Sequence, residues 1–282
     1  MRRIGWVGWM FKNIAIIARP DLKESLELAV RIADFLREKG LKPVFEAELA
    51  SLLGVEGIPL RRMEGDMAVV IGGDGTVLRA VHGLCCRMPL FTVNMGRVGF
   101  FGEASPSKAI SILQEILEGR FIQDSCFMLT TNLELPNALN EVHIGTEASQ
   151  QMVDVAVFID GVLIAHDRVD AILVATSRGS SAYALSAGAN VVDPRLDAFV
   201  VAPICPLSRN FIPHVVPSDV EVTVKPESPA ELIVLIDGQI RKKIGRVGEV
   251  KVRKAEESIV FLRTSQNFYE RLKRRLRISS VD

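Results

Sequence analysis

At 282 residues the chain can bury a substantial core, in one large or two medium domains. Lys plus Arg and Asp plus Glu balance at 34 each, so no overall field recruits nucleic acid or an anionic membrane, and any polyanion must be held by a local site. Four scattered cysteines, Cys85, Cys86, Cys126 and Cys205, make no disulfide framework and lack zinc-site spacing, and the apolar runs are broken by charge well short of the ~20 residues of a membrane span. These features point to a cytoplasmic protein with reduced thiols.

Residues 1–11 begin with Arg2 and Arg3 and an apolar stretch. Lys12 and Asn13 interrupt that stretch and no small-residue cleavage site follows, so the segment reads as a short extension and not as a signal peptide. Residues 14–18 form a uniformly apolar run, the pattern of a strand buried on both faces of a parallel sheet. The period then changes. Leu22, Leu26, Ala29, Val30, Ala33 and Leu36 predict a helix over residues 22–39, with Gly40 at its C-terminal cap.

Strands are expected near Leu41–Phe45 and Met67–Ile71, a helix from about Thr76, and a strand at Pro89–Val93. Ser105-Pro106 opens another helix, striped by Ala109, Ile112, Leu113 and Ile116 and closed by Gly119. This alternation predicts an α/β domain with a mostly parallel sheet over the first ~120 residues.

From Phe127 to about Arg263 helical periodicity gives way to strand-like runs. Val153–Ile159 and Val162–His166 flank Asp160-Gly161, a two-residue hairpin signal. Glu221–Lys225, Leu232–Ile236, Glu249–Arg253 and Ile259–Leu262 continue a β-rich, sandwich-like second domain. Residues 265–277 look helical again, and their basic cluster (Arg271, Lys273, Arg274, Arg275, Arg277) reads as a solvated face. The expected division is residues 12–124 with 265–282 as one domain and 125–264 as the other.

Gly72-Gly73-Asp74-Gly75-Thr76 carries the most chemical information. It follows a strand and opens a helix, the place where open α/β sheets bind ligands. Its glycines let backbone N–H groups approach an anion, and the helix start adds partial positive charge. A carboxylate inside an anion-binding turn is electrostatically costly, so Asp74 is the candidate catalytic group: it accepts a hydroxyl proton, holds Mg²⁺, or does both. A plain Asp-Gly chain reversal is the alternative. Neither GxxxxGK[ST] nor GxGxxG is present. Phosphofructokinases, diacylglycerol kinases and sphingosine kinases share Gly-Gly-Asp-Gly-Thr, so the loop suggests a kinase and leaves its acceptor open.

Six further elements follow in one order: Asn94-Met95-Gly96-Arg97-Val98-Gly99-Phe100-Phe101; Asn140-Glu141; Arg168-Val169-Asp170; Gly179-Ser180-Ser181-Ala182-Tyr183-Ala184-Leu185-Ser186-Ala187-Gly188; Pro203-Ile204-Cys205-Pro206; and Asp237-Gly238-Gln239. With the glycine loop, this series resembles the NAD kinases over nearly all of residues 13–277, with the chain as a somewhat divergent member. The resemblance implies a two-domain fold with a cleft between the domains, and transfer of a phosphoryl group from ATP, or polyphosphate, to the 2′-hydroxyl of NAD's adenosine ribose. It implies Mg²⁺ or another divalent cation with ATP, NAD as substrate, and a homodimer or homotetramer.

By the same resemblance Asp74 takes the 2′-hydroxyl proton. An ordinary carboxylate is too weak a base to ionise a hydroxyl beforehand, but a loose phosphoryl-transfer transition state lets the proton leave late. Gly73, Gly75 and Thr76 cradle phosphates, Asn94 belongs to the following loop, and Phe100 and Phe101 offer adenine an apolar wall. Asn140 and Glu141 bond the adenine or ribose and Asp170 the nicotinamide end, with Arg168 of the same Arg-x-Asp element among the binding residues. Ser181, Ala182, Tyr183 and Ser186 line the dinucleotide site, with Tyr183 stacking on a ring, and Gln239 closes it. No protein metal ligand set is expected, and His82, His143, His166 and His214 are read as non-catalytic.

Each position also has a plainer reading. Phe100 and Phe101 suit a core, Asn140-Glu141 a strand start, and Asp237-Gly238 a hairpin turn.

The chain departs from the family pattern where Asp170 precedes Ala171 and where Thr176-Ser177-Arg178-Gly179-Ser180 replaces Thr-Pro-Thr-Gly-Ser. It departs again at Gly188-Ala189-Asn190, and where Leu207, Arg209, Asn210 and Ile212 replace His, Leu, Ser and Arg. These changes bear on activity and donor choice, with Arg178 and Arg209 available to replace lost charge. Two other readings follow: a catalytically silent NAD(P)-binding protein of the same fold, and a kinase for another hydroxyl such as a lipid's.

Overall fold

The computed structural model describes residues 11–96, 99–146, 152–208, 210–227, 232–245, 248–265 and 268–276. The extension at residues 1–10, Arg97-Val98, Arg209 and Arg277 lie outside them. The chain divides into two compact units, Met1–Ser125 with Ile259–Asp282, and Cys126–Ser258.

The first unit alternates strand and helix: β1 (Asn13–Ala18), α1 (Lys23–Glu38), β2 (Lys42–Phe45), α2 (Ala47–Leu53), β3 (Met67–Gly72), α3 (Asp74–Leu84), β4 (Leu90–Asn94) and α4 (Ala109–Leu117). β5 (Ile122–Thr131) runs on into the second unit. The strands pair in parallel in the order β2-β1-β3-β4, with Ile14 opposite Met67 and Ala68 opposite Leu90. β3 is central and buried throughout, as its unbroken apolar run requires. Alternation along the strands turns Ile14, Ile16, Val69 and Ile71 toward α1 and α4, into one core with Leu28, Ile32, Leu36, Leu113 and Ile116. Gly40 and Gly119 follow α1 and α4 with φ of +75° and +81°, the left-handed geometry expected after a helix end.

The second unit contains β6 (Glu141–Thr146), β7 (Val153–Ile159), β8 (Val162–Val169), β9 (Ala171–Thr176), the single-turn α5 (Tyr183–Ser186), β10 (Ala198–Ile204), β11 (His214–Pro217), β12 (Val222–Pro226), β13 (Leu232–Ile236) and β14 (Ile240–Gly245). β15 (Val250–Arg263) returns to the first unit, where α6 (Phe268–Arg275) follows. One sheet has the order β11-β10-β9-β6-β13-β14, antiparallel throughout. The other sets β8, β7, β12 and the first part of β15 side by side, also antiparallel. Val142, Ile144, Val174 and Val234 from the first sheet meet Val155, Val157, Val222 and Val252 from the second in one sandwich core. The period of two then leaves Glu141 and His143 on the opposite face of β6. The fold is thus a mostly parallel α/β unit with a β-sandwich unit.

Several expectations need correction. α3 starts at Asp74, two residues before the predicted Thr76, because Gly73 serves as its N-cap. α1 buries Ser25, Leu28, Ala29, Ile32, Ala33 and Leu36, while Val30 is exposed, so the true stripe is rotated from the predicted one. The two runs at 249–253 and 259–262 are a single strand, β15, whose exposed Lys254, Glu256 and Glu257 disguised its continuity. Arg271 of α6 is turned inward, with 12% of its side chain exposed, and so is no part of a solvated face.

Candidate active site

Asp74 is the first residue of α3, at the carboxyl end of the buried central strand β3. Its carboxylate accepts the backbone N–H of Phe100 at 3.1 Å on Oδ2 and that of Phe101 at 3.2 Å on Oδ1. The surrounding glycines make this grip possible. A Cβ at Gly72 would lie 2.2 Å from Thr76 Oγ1, and one at Gly102 would lie 2.4 Å from Asn94 Cβ. One at Gly99 would meet Asn94 Oδ1 at 2.8 Å and Asp74 Oδ1 at 3.2 Å.

The Asn94 side chain accepts the Gly96 N–H at 3.0 Å and donates to the Gly96 carbonyl at 3.1 Å. Thr76 donates its backbone N–H to the Gly73 carbonyl, and Gly75 is exposed. Gly73 differs from the other glycines. Its φ of −94° suits any residue, and among the described residues a Cβ there would meet no atom within 4 Å.

The rings of Phe100 and Phe101 do not form the exposed apolar wall expected of them. Phe101 is 2% exposed and stacks on Phe261 at 5.6 Å, and Phe100 packs against Phe268 at 6.3 Å. Their contribution to the Asp74 site is their backbone N–H groups.

In the second unit, Asp237 and Gly238 have φ of +51° and +65° and close the β13–β14 hairpin as their sequence predicts. The buried Asp237 carboxylate also accepts the N–H groups of Leu139 (2.8 Å), Asn140 (2.7 Å) and Glu141 (3.0 Å). It therefore fixes the start of β6. Gln239 is exposed at the end of this turn, its N–H on the Ile236 carbonyl.

Above the same strand start lies the segment after β9. Thr176 donates its N–H to the Asn140 carbonyl and its hydroxyl to that of Leu139, both at 2.8 Å, and Gly179 donates its N–H to Thr176 Oγ1 at 2.9 Å. A Cβ at Gly179 would fall 2.0 Å from the Asn140 carbonyl oxygen, so only glycine permits this approach. Ser180 ties the segment to Val192 and Ser181 donates to the Arg178 carbonyl at 3.2 Å. Ala182 is half-buried, while Tyr183 and Ser186 face outward.

These contacts leave polar atoms unused. Asn140 Oδ1, Glu141 Oε2 and His143 Nδ1 are buried without a hydrogen-bond partner. Burial and the nearby Asp237 charge push Glu141 up to about 8, against a hydrogen bond from the Tyr183 N–H. The His143 ring lies parallel to that of Tyr183, with centroids 6.1 Å apart, and burial holds its imidazole below the usual range. His143 is thus a member of this cluster that a search for metal spacing missed. Period-two alternation from Glu141 along β6 would have found it.

Arg168 and Asp170 form a separate group. Arg168 pairs with Asp154 across the β7–β8 ladder at 3.3 Å. Asp170 is the single residue between β8 and β9, and its carboxylate holds the Cys205 thiol above its usual range. Glu141 faces Ala175 and Gly145 faces Ala171, so Asp170 lies five residues, about 17 Å, further along this pair of strands than Glu141. Ser208 donates its N–H and hydroxyl to Asp167, holding the loop after β10, in which Leu207 and Ile212 are exposed. Among the described residues no group of three His, Cys, Asp or Glu side chains could hold a metal ion. No described helix is long and apolar enough to cross a membrane.

A parallel sheet that presents a carboxylate within a glycine loop, followed in the chain by a sandwich bearing a cluster of buried polar side chains, is the arrangement expected of a kinase of the Gly-Gly-Asp-Gly-Thr class. Residues 14–121 match the ATP-NAD kinase N-terminal domain and residues 139–264 the ATP-NAD kinase C-terminal domain. The chain is 36% identical to an NAD kinase of Methanothermobacter thermautotrophicus, over 96% of this chain and 98% of that one. It is 37% identical to one of Thermococcus gammatolerans, over 94% and 99%. Among solved structures it is similar to an NAD kinase from Archaeoglobus fulgidus in complex with ATP, with a TM-score of 0.79, 29% identity, and coverage of 95% of this chain and all of that one. Yeast NADH kinase complexed with NADH shares the fold, at a TM-score of 0.85, 23% identity, and coverage of 96% and 89%. The chain belongs to the NAD kinase family.

Proposed function

We propose that this NAD kinase transfers the terminal phosphoryl group of ATP to the 2′-hydroxyl of NAD's adenosine ribose, giving NADP and ADP. The observation that carries the reading is the Asp74 carboxylate, held by two backbone N–H groups at the carboxyl edge of the central strand. In the transfer the O–H bond of the ribose breaks as the new O–P bond forms. The bond from the terminal phosphorus to its bridging oxygen breaks, and the proton passes to Asp74 and on to water. The two N–H groups orient the carboxylate toward the hydroxyl and leave lone pairs on both oxygens, so late proton acceptance needs no reorganisation.

Gly73, Gly75 and Thr76 cradle the donor phosphates. Neither the backbone conformation nor the described packing calls for glycine at 73, and close approach by a ligand does. Asn140 and Glu141 bond the adenine or ribose, a role supported by their unpartnered buried oxygens. Tyr183 offers its exposed ring for stacking, and Ser181, Ala182, Ser186 and Gln239 line the same region. The offset of about 17 Å between Glu141 and Asp170 along the strands suits a ligand with two ends, and supports Asp170 at the nicotinamide end, with Arg168 two residues before it.

Mg²⁺ fits this residue set as an ion held mainly by the donor's phosphates and water, since the described residues offer Asp74 and no cage of carboxylates. When bound, it neutralises charge that the loop's N–H groups cannot. The family resemblance also supports a cytoplasmic homodimer or homotetramer.

The test is a panel of NAD, NADH, a diacylglycerol and a sugar phosphate, each with labelled ATP and with polyphosphate. Label in NADP, lost when Mg²⁺ is chelated, supports the reading. Label in the lipid, or NAD binding with no product from either donor, would replace it with one of the two alternatives set out above. The family matches favour neither.

A further inference from the structure

The two residues that grip Asp74 are themselves gripped from behind. Glu103, 2% exposed, accepts the Thr264 N–H and hydroxyl at 2.8 and 2.9 Å on Oε1, and Arg271 Nη2 at 2.8 Å and Arg263 Nη1 at 3.3 Å on Oε2. Arg263 is anchored further by Asp124 at 2.5 Å. With Nη2 on Glu103, Arg271 places Nη1 3.1 Å from the carbonyl oxygen of Phe100. That carbonyl belongs to the same peptide group as the Phe101 N–H, which donates to Asp74 Oδ1. A cation, one amide and a carboxylate therefore stand in series. A guanidinium on the oxygen draws electron density through the planar amide and makes its N–H a stronger donor, while both end bonds are charge-assisted.

We infer that Arg271, on the last described helix, is a positioning residue for phosphoryl transfer: it acts through the Phe100–Phe101 peptide to fix and strengthen the grip on Asp74. The residue touches no reacting atom. Its effect belongs in the orientation of the proton acceptor, so it falls on turnover and not on substrate affinity. The inference rests on Asp74 being that acceptor. It adds that α6 contributes to the positioning of Asp74, and that Arg271 is set apart within the basic cluster by its inward contacts.

The test uses the full chain with Arg271→Ala and Arg271→Lys, with Asp74→Asn beside them. In Arg271→Ala, kcat should fall about ten- to hundredfold with KM for NAD and ATP changed by less than about threefold. Added methylguanidine should restore part of that kcat and leave the unaltered protein unchanged. Arg271→Lys should fall between the two, and it carries the test through its own kcat and KM if the alanine variant does not fold. Unchanged kcat in Arg271→Ala, or a loss that neither methylguanidine nor lysine relieves, overturns the inference, the latter outcome assigning Arg271 a purely structural role. Substantial activity in Asp74→Asn would instead remove the reading on which the inference rests, so the two failures are separable.

Discussion

The first unit engages both oxygens of Asp74, and the second leaves one oxygen of Glu141 buried without a partner. Asp74 receives two N–H groups, in a loop of closely packed glycines, and Arg271 holds the carbonyl of the peptide that supplies one of them. Glu141, Asn140 and His143 each keep a buried polar atom without a partner, and Glu141 is driven up to about 8. A group that takes a proton in flight gains from being held still before the substrate arrives. Groups that recognise a ligand gain from keeping bonds in reserve, because a buried atom left wanting makes the arriving donor worth more. On the proposed function, one region is preorganised for chemistry and the other is primed for binding.

The comparison breaks most sharply at two glycines. Gly179→Ala drives a methyl group into the Asn140 carbonyl and should cost about 3 kcal/mol or more of stability, with NAD affinity falling in step, as denaturant melts and calorimetry would show. Gly99→Ala crowds Asn94 and Asp74 and should lower kcat about thirtyfold while NAD affinity stays near that of the unaltered protein. If both changes moved kcat and affinity alike, the division of labour would be wrong.

Glu141 sharpens the contrast through pH. Its raised value means the folded chain holds a proton that the unfolded chain, titrating near 4.3, has already released. Its stabilising contribution is whole below that range, declines as pH rises, and is gone above about 8. Glu141→Gln should therefore add on the order of 2 kcal/mol at pH 9 and little at pH 4.5, while weakening NAD binding. Chemical denaturation across that range measures it, and a gain that did not depend on pH would contradict the assignment. The smallest effect is expected at His143. Replacing it with Ala removes the ring beneath Tyr183 and should raise KM for NAD about threefold, and His143→Phe should restore it. Steady-state kinetics decides between them.

The buried strands β1 and β3, the C-terminal glycines of α1 and α4, and both Asp-Gly hairpins were legible because each is specified locally, by a short apolar run or a left-handed turn. The placement of Asp74 in a glycine turn between a strand and a helix was legible for the same reason. The roles of Phe100 and Phe101 were not, because the sequence displays their rings, while the structure buries those rings and uses the backbone. Asp237 read as a turn residue, and nothing in the sequence around it shows that its carboxylate reaches across 96 positions to the N–H of Glu141. Arg271 was hidden by its neighbours: in a run of cations the one turned inward cannot be told from the others by composition. α2 was missed because seven residues give too few turns for a helical period to stand out.

The most direct test of the account is Asp74→Asn, assayed twice on the same preparation. NADP formation from NAD and ATP should fall by about a thousandfold or more, while the dissociation constant for NAD stays within about twofold, because the recognition cluster of the second unit is untouched. Turnover that survives the substitution, or NAD binding that disappears with it, would contradict the account.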